Sequence, residues 1–254
     1  MKEGSVSRKT VIVTGASRGI GAATALLAAE AGYDLFMVYN RGCDAVETIA
    51  VEARRSGATV TVCQTDIASD IGIAELFRVF DASFDTLYGL VNNAGITGPM
   101  TTLSGLARPD LERVFAINVF ASFMIAKGAM ERMAPSAARD GAAIVNVSSR
   151  AAQLGGANEW LHYAATKGAI DTFTVGLARE AAPAGIRVNA VSPGLIETEI
   201  HAASGDPGRL ARLAHTVPMG RSGTAAEVAE TILWLLSGTA PYVSGANVVI
   251  SGAR

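Results

Sequence analysis

The feature that most constrains this 254-residue chain is a recurring pattern, in which short runs of apolar, β-branched residues alternate with longer alanine-rich stretches. Runs at 10–14, 34–39, 59–65, 87–91, 143–147, 187–191 and 247–250 are almost continuously apolar, as in Val11-Ile12-Val13 and Leu35-Phe36-Met37-Val38-Tyr39. A strand with one wet face alternates apolar and polar residues, whereas a continuously apolar one is covered on both faces, the habit of parallel sheets. The stretches between them carry helix ends. Gly32 and Gly57 follow the last periodic residues, where a left-handed residue closes a helix, and Pro109 precedes 111–133, suiting a first turn. Strand–helix alternation along the whole chain predicts right-handed crossovers and an α/β fold: a doubly wound parallel sheet of about seven strands with helices on both faces.

Half of the residues are hydrophobic and 17% are charged, enough apolar material for a core on each side of such a sheet. Without a linker, repeat or low-complexity segment, residues 1–254 are expected to form one domain. A net charge of −2 and the lack of any Lys/Arg block argue against nucleic acid as a partner. Cys43 and Cys63 fit no metal-ligand spacing, and His162, His201 and His215 are scattered, so no metal is expected and the histidines read as surface or packing residues. The polar first ten residues lack a signal-peptide core, and no run reads as a membrane span; a cytoplasmic protein without a membrane partner is expected.

Two long loops, 97–107 and 194–223, follow the carboxyl ends of predicted strands, where open α/β sheets bind ligands. Directly after the first strand stands Thr14-Gly15-Ala16-Ser17-Arg18-Gly19-Ile20-Gly21. Gly15 suits the tight turn, Gly19 the close approach of backbone N–H groups to a pyrophosphate, and Gly21 close helix–sheet packing. An NAD site wants a carboxylate at the end of the second strand to hold the ribose 2′-hydroxyl. Here the strand ends Tyr39-Asn40-Arg41, and Arg41 together with Arg18 suits a 2′-phosphate, which predicts NADP(H).

Tyr163 and Lys167 lie four apart in a helical segment, 161–182, and so share one face. An ammonium beside a phenol favours phenolate, which predicts a tyrosine pKa lowered from about 10 toward working pH. Such a tyrosine can donate a proton to a carbonyl oxygen or take one from an alcohol. Ser148 and Ser149 end the fifth strand, where a hydroxyl can hydrogen-bond the substrate oxygen. Asn118 sits among apolar neighbours in mid-helix; it either bonds a nearby backbone carbonyl or holds a water that passes protons toward Lys167. Ile96, Leu154 and Trp160 are open to two readings, substrate pocket or core.

Together these residues resemble the short-chain dehydrogenase/reductase family, in its compact, Rossmann-like branch. The resemblance runs from Thr10 to Gly252 through TGASRGIG at 14–21, Asp66, NNAG at 92–95, Asn118, the serine pair, YAATK at 163–167 and PG at 193–194. It implies a catalytic tetrad of Asn118, Ser149, Tyr163 and Lys167. It also implies a cofactor site at Gly15, Ser17, Arg18, Gly19, Ile20, Gly21, Asn40 and Arg41, with Asp66 and Ile67 bordering the adenine. Asn93, Ala94 and Gly95 would flank the adenine ribose, Pro193, Gly194 and Thr198 the nicotinamide amide, and Tyr163 and Lys167 the nicotinamide ribose. Two departures stand out: the 149–163 interval is one residue longer than the common spacing, and the chain ends Ser251-Gly252-Ala253-Arg254 where relatives often carry Asp-Gly-Gly.

The expected activity is NADP(H)-dependent interconversion of a ketone or aldehyde and an alcohol, with 3-oxoacyl thioesters, sugars and small ketones as substrate classes. The alternative is a non-catalytic NADP(H)-binding regulator, which would be expected to have lost Tyr163 or Lys167. Epimerisation or dehydration of sugar nucleotides would need a larger substrate domain than this length allows. The family is commonly tetrameric, and the apolar surface of 161–182 (Ala164, Ala165, Ala169, Ile170, Phe173, Leu177 and Ala178) is consistent with a homo-oligomer.

Overall fold

A computed structural model describes residues 8–133, 141–198 and 208–254. In chain order the elements are β1 (Lys9–Thr14), α1 (Gly19–Glu30), β2 (Tyr33–Tyr39), α2 (Cys43–Arg55), β3 (Val60–Gln64), α3 (Asp70–Ser83) and β4 (Gly89–Asn92). Next come α4 (Arg108–Phe115), a π turn (Ala116–Phe120) and α5 (Ala121–Arg132), then β5 (Ala143–Val147), α6 (Ala151–Leu154) and α7 (Leu161–Ala181). The remainder is β6 (Arg187–Pro193), β7 (Ile196–Glu197), α8 (Arg209–Leu213), β8 (Gly223–Thr224), α9 (Ala225–Leu236) and β9 (Asn247–Ile250).

Among the described residues, seven strands form one parallel sheet in the order β3-β2-β1-β4-β5-β6-β9, so the winding reverses between β1 and β4. The apolar strands are explained by what covers them. Val11, Val13, Leu35 and Met37 point into one core with Ala25 and Ala29 of α1, Val46 of α2 and Ile232 of α9. Their neighbours Ile12, Phe36 and Val38 point into the other, against Leu76 and Phe80 of α3, Ile125 of α5 and Ala178 of α7. Each strand thus keeps its two-residue alternation, but both faces demand apolar side chains. Gly32 and Gly57 take φ of +91° and +80° after α1 and α2, the left-handed closure expected of them.

The long helical run 111–133 is composite. It begins at Arg108 with Pro109 in its first turn, and a π turn interrupts it around Asn118. The stretch Arg108–Arg132 is also long and apolar enough to cross a membrane, contrary to the reading that no such run exists. More than half of its most apolar part is buried, with Val114, Ala121, Ile125, Ala126 and Ala129 packed inside the fold, so its hydropathy reflects a core helix.

Candidate active site

The reversal between β1 and β4 leaves a crevice at the carboxyl ends of the strands, and two connected cavities occupy it. The larger, about 310 Å³, is lined by Gly15, Ser17, Arg18, Gly19 and Ile20 of the glycine loop, by Asn40 and Arg41 after β2, and by Asp66 and Ile67 after β3. Asn93, Ala94, Gly95 and Thr198 complete the expected set there. The loop is built for close approach. A Cβ on Gly15, at φ +66°, would lie 2.9 Å from Ala94 Cα, and one on Gly21 would lie 2.2 Å from Gly15 O. Gly21, expected in the cofactor set, lines neither cavity; it packs against Gly15 O and Asn93 Nδ2 beneath the loop. Asn93 Nδ2 donates to Thr14 O at 2.8 Å and to Gly15 O at 3.2 Å, so this side chain fixes the turn.

The helix that follows presents bare N–H groups to the cleft. The N-cap of α1 is Arg18, whose side chain makes no capping bond, and the first turn holds no acidic residue. A dinucleotide pyrophosphate fits such an end, because it brings the negative charge and acceptors that the free N–H groups want. No carboxylate stands at the tip of β2, where Arg41 and Arg18 both face the cleft. Thr65, Arg113 and Ile117 also line it and were not anticipated. Thr65 could have been found from its place at the end of β3, but Arg113 and Ile117 come from the α4 region, and no local motif marks them.

The smaller cavity is lined by Ser148, Ser149, Tyr163, Lys167, Pro193 and Gly194, and shares Ile20, Gly95 and Thr198 with the larger one. Tyr163 and Lys167 project from one face of α7, with the Lys167 Nζ 5.6 Å from the phenol ring centre. The two serines differ. Ser149 hydrogen-bonds the phenol of Tyr163, while its Oγ also accepts from Ala151 N at 3.1 Å. Ser148 is turned away, donating to Asp171 Oδ1 at 2.5 Å. Between Ser149 and Tyr163 the chain makes a turn where Gly155, Gly156 and Asn158 all have positive φ, tied down by a bridge between Thr101 and Trp160.

Burial changes the expected electrostatics. The phenol of Tyr163 is pushed up from its ordinary pKa by desolvation, the Ser149 hydrogen bond pulling the other way. The expected lowering by Lys167 is therefore not met. Lys167 itself is pushed down to about 8 by burial, and donates to Val147 O at 2.7 Å. A nearby positive charge, such as an oxidised nicotinamide would bring, is what would favour phenolate here.

Asn118 lines neither cavity. Its Oδ1 accepts from Ile96 N and its Nδ2 donates to Ile96 O, both at 2.9 Å, with a further bond to Thr166 Oγ1 at 3.0 Å. Of the two readings left open, bonding to nearby backbone is the one seen; the side chain staples the loop after β4 to α7. A Cβ on Gly95 would lie 3.2 Å from Asn118 Oδ1 and 3.5 Å from Lys167 Nζ, which places this glycine between them. His162 is a packing histidine, 2% exposed, held at low pKa by burial, and His215 is exposed; His201 lies outside the described residues. Trp160 is buried, Leu154 is exposed, and Ile96 lines the larger cavity. At the chain's end Arg150 Nε and Ser251 Oγ both donate to Arg254 O, and a Cβ on Gly194 would lie 2.7 Å from Ser251 Cβ.

Comparison with known proteins agrees with this geometry. A family model described as enoyl-(acyl carrier protein) reductase matches residues 15–252. The uncharacterized oxidoreductase YgfF of Escherichia coli (strain K12) is 44% identical over 243 residues, covering 96% of this chain and 98% of its own. The 3-oxoacyl-[acyl-carrier-protein] reductase FabG of Chlamydia pneumoniae is 32% identical over 244 residues, 96% of each chain. A crystal structure of a short-chain dehydrogenase from Burkholderia cenocepacia J2315 in complex with NADP superposes with a TM-score of 0.87, at 28% identity and 96% coverage of both chains. With a reversed parallel sheet, an uncapped glycine-rich turn and a Tyr–Lys pair at its mouth, the chain belongs to the short-chain dehydrogenase/reductase family of nicotinamide-dependent oxidoreductases.

Proposed function

We propose that this oxidoreductase is a single-domain NADP(H)-dependent enzyme that interconverts a ketone or aldehyde and the corresponding alcohol. The observation that carries the reading is the meeting of Ser149, Tyr163 and Lys167 on one small cavity that opens into the dinucleotide cleft through Ile20, Gly95 and Thr198. NADP(H) over NAD(H) is supported by Arg18 and Arg41 at a strand tip without a carboxylate, and by the NADP complex of the Burkholderia relative.

When bound, the nicotinamide supplies or accepts hydride at the carbonyl carbon. In the reductive direction Tyr163 OH gives its proton to the carbonyl oxygen as negative charge develops there. Ser149 Oγ hydrogen-bonds that same oxygen and shares the charge. Lys167 places a buried ammonium beside the phenol, favouring phenolate once the proton has left, and would hold the nicotinamide ribose hydroxyls. Asn118 keeps the wall between Ile96 and Thr166 in place. Pro193, Gly194 and Thr198 also line the smaller cavity and would hold the nicotinamide amide. Substrate choice falls to 97–107, 153–162 and 194–223; reductases of 3-oxoacyl thioesters, sugar dehydrogenases and small-ketone reductases are the candidate classes, the first supported by the FabG relative.

Exposed apolar side chains on neighbouring helices, among them Phe120, Phe123 and Met124 beside Leu161 and Val175, support a homo-oligomer, a tetramer or dimer. The test is NADPH oxidation followed against a panel of ketones, 3-oxoacyl thioesters and aldoses, with Tyr163→Phe as control. The variant is expected to bind NADPH while losing at least about 1,000-fold in kcat, within the span a positioned acid–base group supplies. Near-normal turnover would remove Tyr163 from the mechanism, and retention of NADPH binding without turnover of any panel member by wild type would favour the regulator.

A further inference from the structure

Beneath the reacting groups lies a carboxylate that the mechanism above does not use. Tyr163, Lys167 and Asp171 follow one another at four-residue intervals along α7, so one face of the helix presents a phenol, an ammonium and a carboxylate in line. Asp171 is gripped from three sides. Its Oδ1 accepts from Ser148 Oγ at 2.5 Å and from Asn247 Nδ2 of β9 at 2.8 Å, and its Oδ2 accepts from Gln153 Nε2 of α6 at 2.8 Å. Ser148 and Gln153 flank Ser149 on either side, so one carboxylate ties down both ends of the segment carrying the substrate-facing hydroxyl. The Ser148 Oγ also lies 3.1 Å from Lys167 O, but its single proton goes to the shorter, charged partner.

We infer that Asp171 is a positioning residue of this site: it braces the Ser148–Gln153 turn and places a negative charge under the Lys167 ammonium. The inference rests on the proposed oxidoreductase site for its purpose, but not for its test. Lys167 is 4% exposed, and the groups facing it are few. Its own helix supplies Tyr163 and Asp171; the end of β5 supplies the Val147 carbonyl and the serine hydroxyls; Gly95 and Asn118 close the remaining side. Of these only Tyr163 and Asp171 titrate. Burial pushes the lysine down, and Asp171 is the charge that opposes it. Burial likewise pushes Asp171 up, against its three donors and Lys167. Without the carboxylate, the ammonium would keep the full desolvation penalty and shed its proton earlier.

Asp171→Asn separates the two roles. The amide keeps the size of the carboxylate and, with the Gln153 amide turned over, can keep all three hydrogen bonds, yet carries no charge. Because the chain has four lysines, Lys167 can be titrated directly by carbon NMR of lysine-labelled, cofactor-free protein, its signal assigned with Lys167→Arg. In wild type the midpoint is expected near 8. In folded Asp171→Asn it should fall by about one pH unit, tenfold in the proton equilibrium, and the alkaline limb of kcat/KM should fall with it. At pH 6, where the ammonium persists in both, Asp171→Asn should keep kcat within about threefold, whereas Asp171→Ala should lose about tenfold or more as the turn loosens. Ser148→Ala reads the same strut should Asp171→Ala not fold. A Lys167 midpoint unmoved in Asp171→Asn overturns the electrostatic half, and equal kcat in the Asn and Ala variants at pH 6 overturns the bracing half. A shifted midpoint in a protein that turns over no carbonyl would instead defeat the proposed function and leave this inference standing.

Discussion

Two helices that share one core begin in opposite ways. At the start of α9, Thr224 Oγ1 accepts from Glu227 N at 3.2 Å, and Glu227 Oε2 accepts from Thr224 N at 2.8 Å, closing a reciprocal cap. Arg221 adds two bonds to the same carboxylate and, with the cap, holds Glu227 down at about 2. At the start of α1 no side chain caps and no acid stands in the first turn, while Gly15 and Gly21 let the turn fold tightly on itself and on Asn93. A helix end costs stability when its N–H groups go unsatisfied, so a bare end at the mouth of a cleft signals an anion to come. The sealed end serves the fold; the open end serves the ligand.

That contrast can be broken at three strengths. Gly21→Ala is expected to act most strongly: its Cβ would stand 2.2 Å from Gly15 O and 2.5 Å from Asn93 Nδ2, so the turn must shift and NADPH binding should drop below detection in a fluorescence titration. Binding within threefold of wild type would show that the turn yields freely. Arg41→Ala is intermediate. It should weaken NADPH by roughly 10- to 100-fold, the worth of a charge-assisted bond, and NADH by no more than about twofold. Equal losses for both would defeat the 2′-phosphate assignment.

The smallest effect belongs to the sealed end. Thr224→Ala should lower stability by about 1 kcal/mol, or about 2–4 °C in Tm, with NADPH affinity unchanged. A fall in affinity would mean that the two ends are not separable. The carboxylate half of this cap has a signed pH dependence. Because the folded state holds Glu227 below the ordinary 4.5, its contribution is complete above that pH and fades as the pH falls toward about 2. Glu227→Gln and wild type should accordingly converge in Tm across that window.

The strands were legible in the sequence because burial on both faces leaves a mark on every residue, and β5 and β9 coincide with the expected 143–147 and 247–250. Edges were less so. Leu87 and Tyr88 are buried but precede β4, and β6 runs on through Pro193, which pairs with Ile250 at the sheet's end. β7 and β8 are two residues each, too short for any period. In the site, the loop glycines and the Tyr163–Lys167 pair announce themselves by spacing. Arg113 does not, since only the third dimension brings α4 over the cleft. The phenol's pKa misled for a similar reason: a sequence shows the neighbouring charge but not the loss of water.

The π turn at Ala116–Phe120 acts as a phase shifter. One additional residue within a helix rotates everything beyond it by about 100°. Arg113, upstream of the turn, and Ile117, within it, line the dinucleotide cleft, while downstream Ile125 and Ala129 pack onto the sheet. One continuous helical run thus serves both the dinucleotide cleft and the sheet, and Asn118 stands at the joint between its two parts.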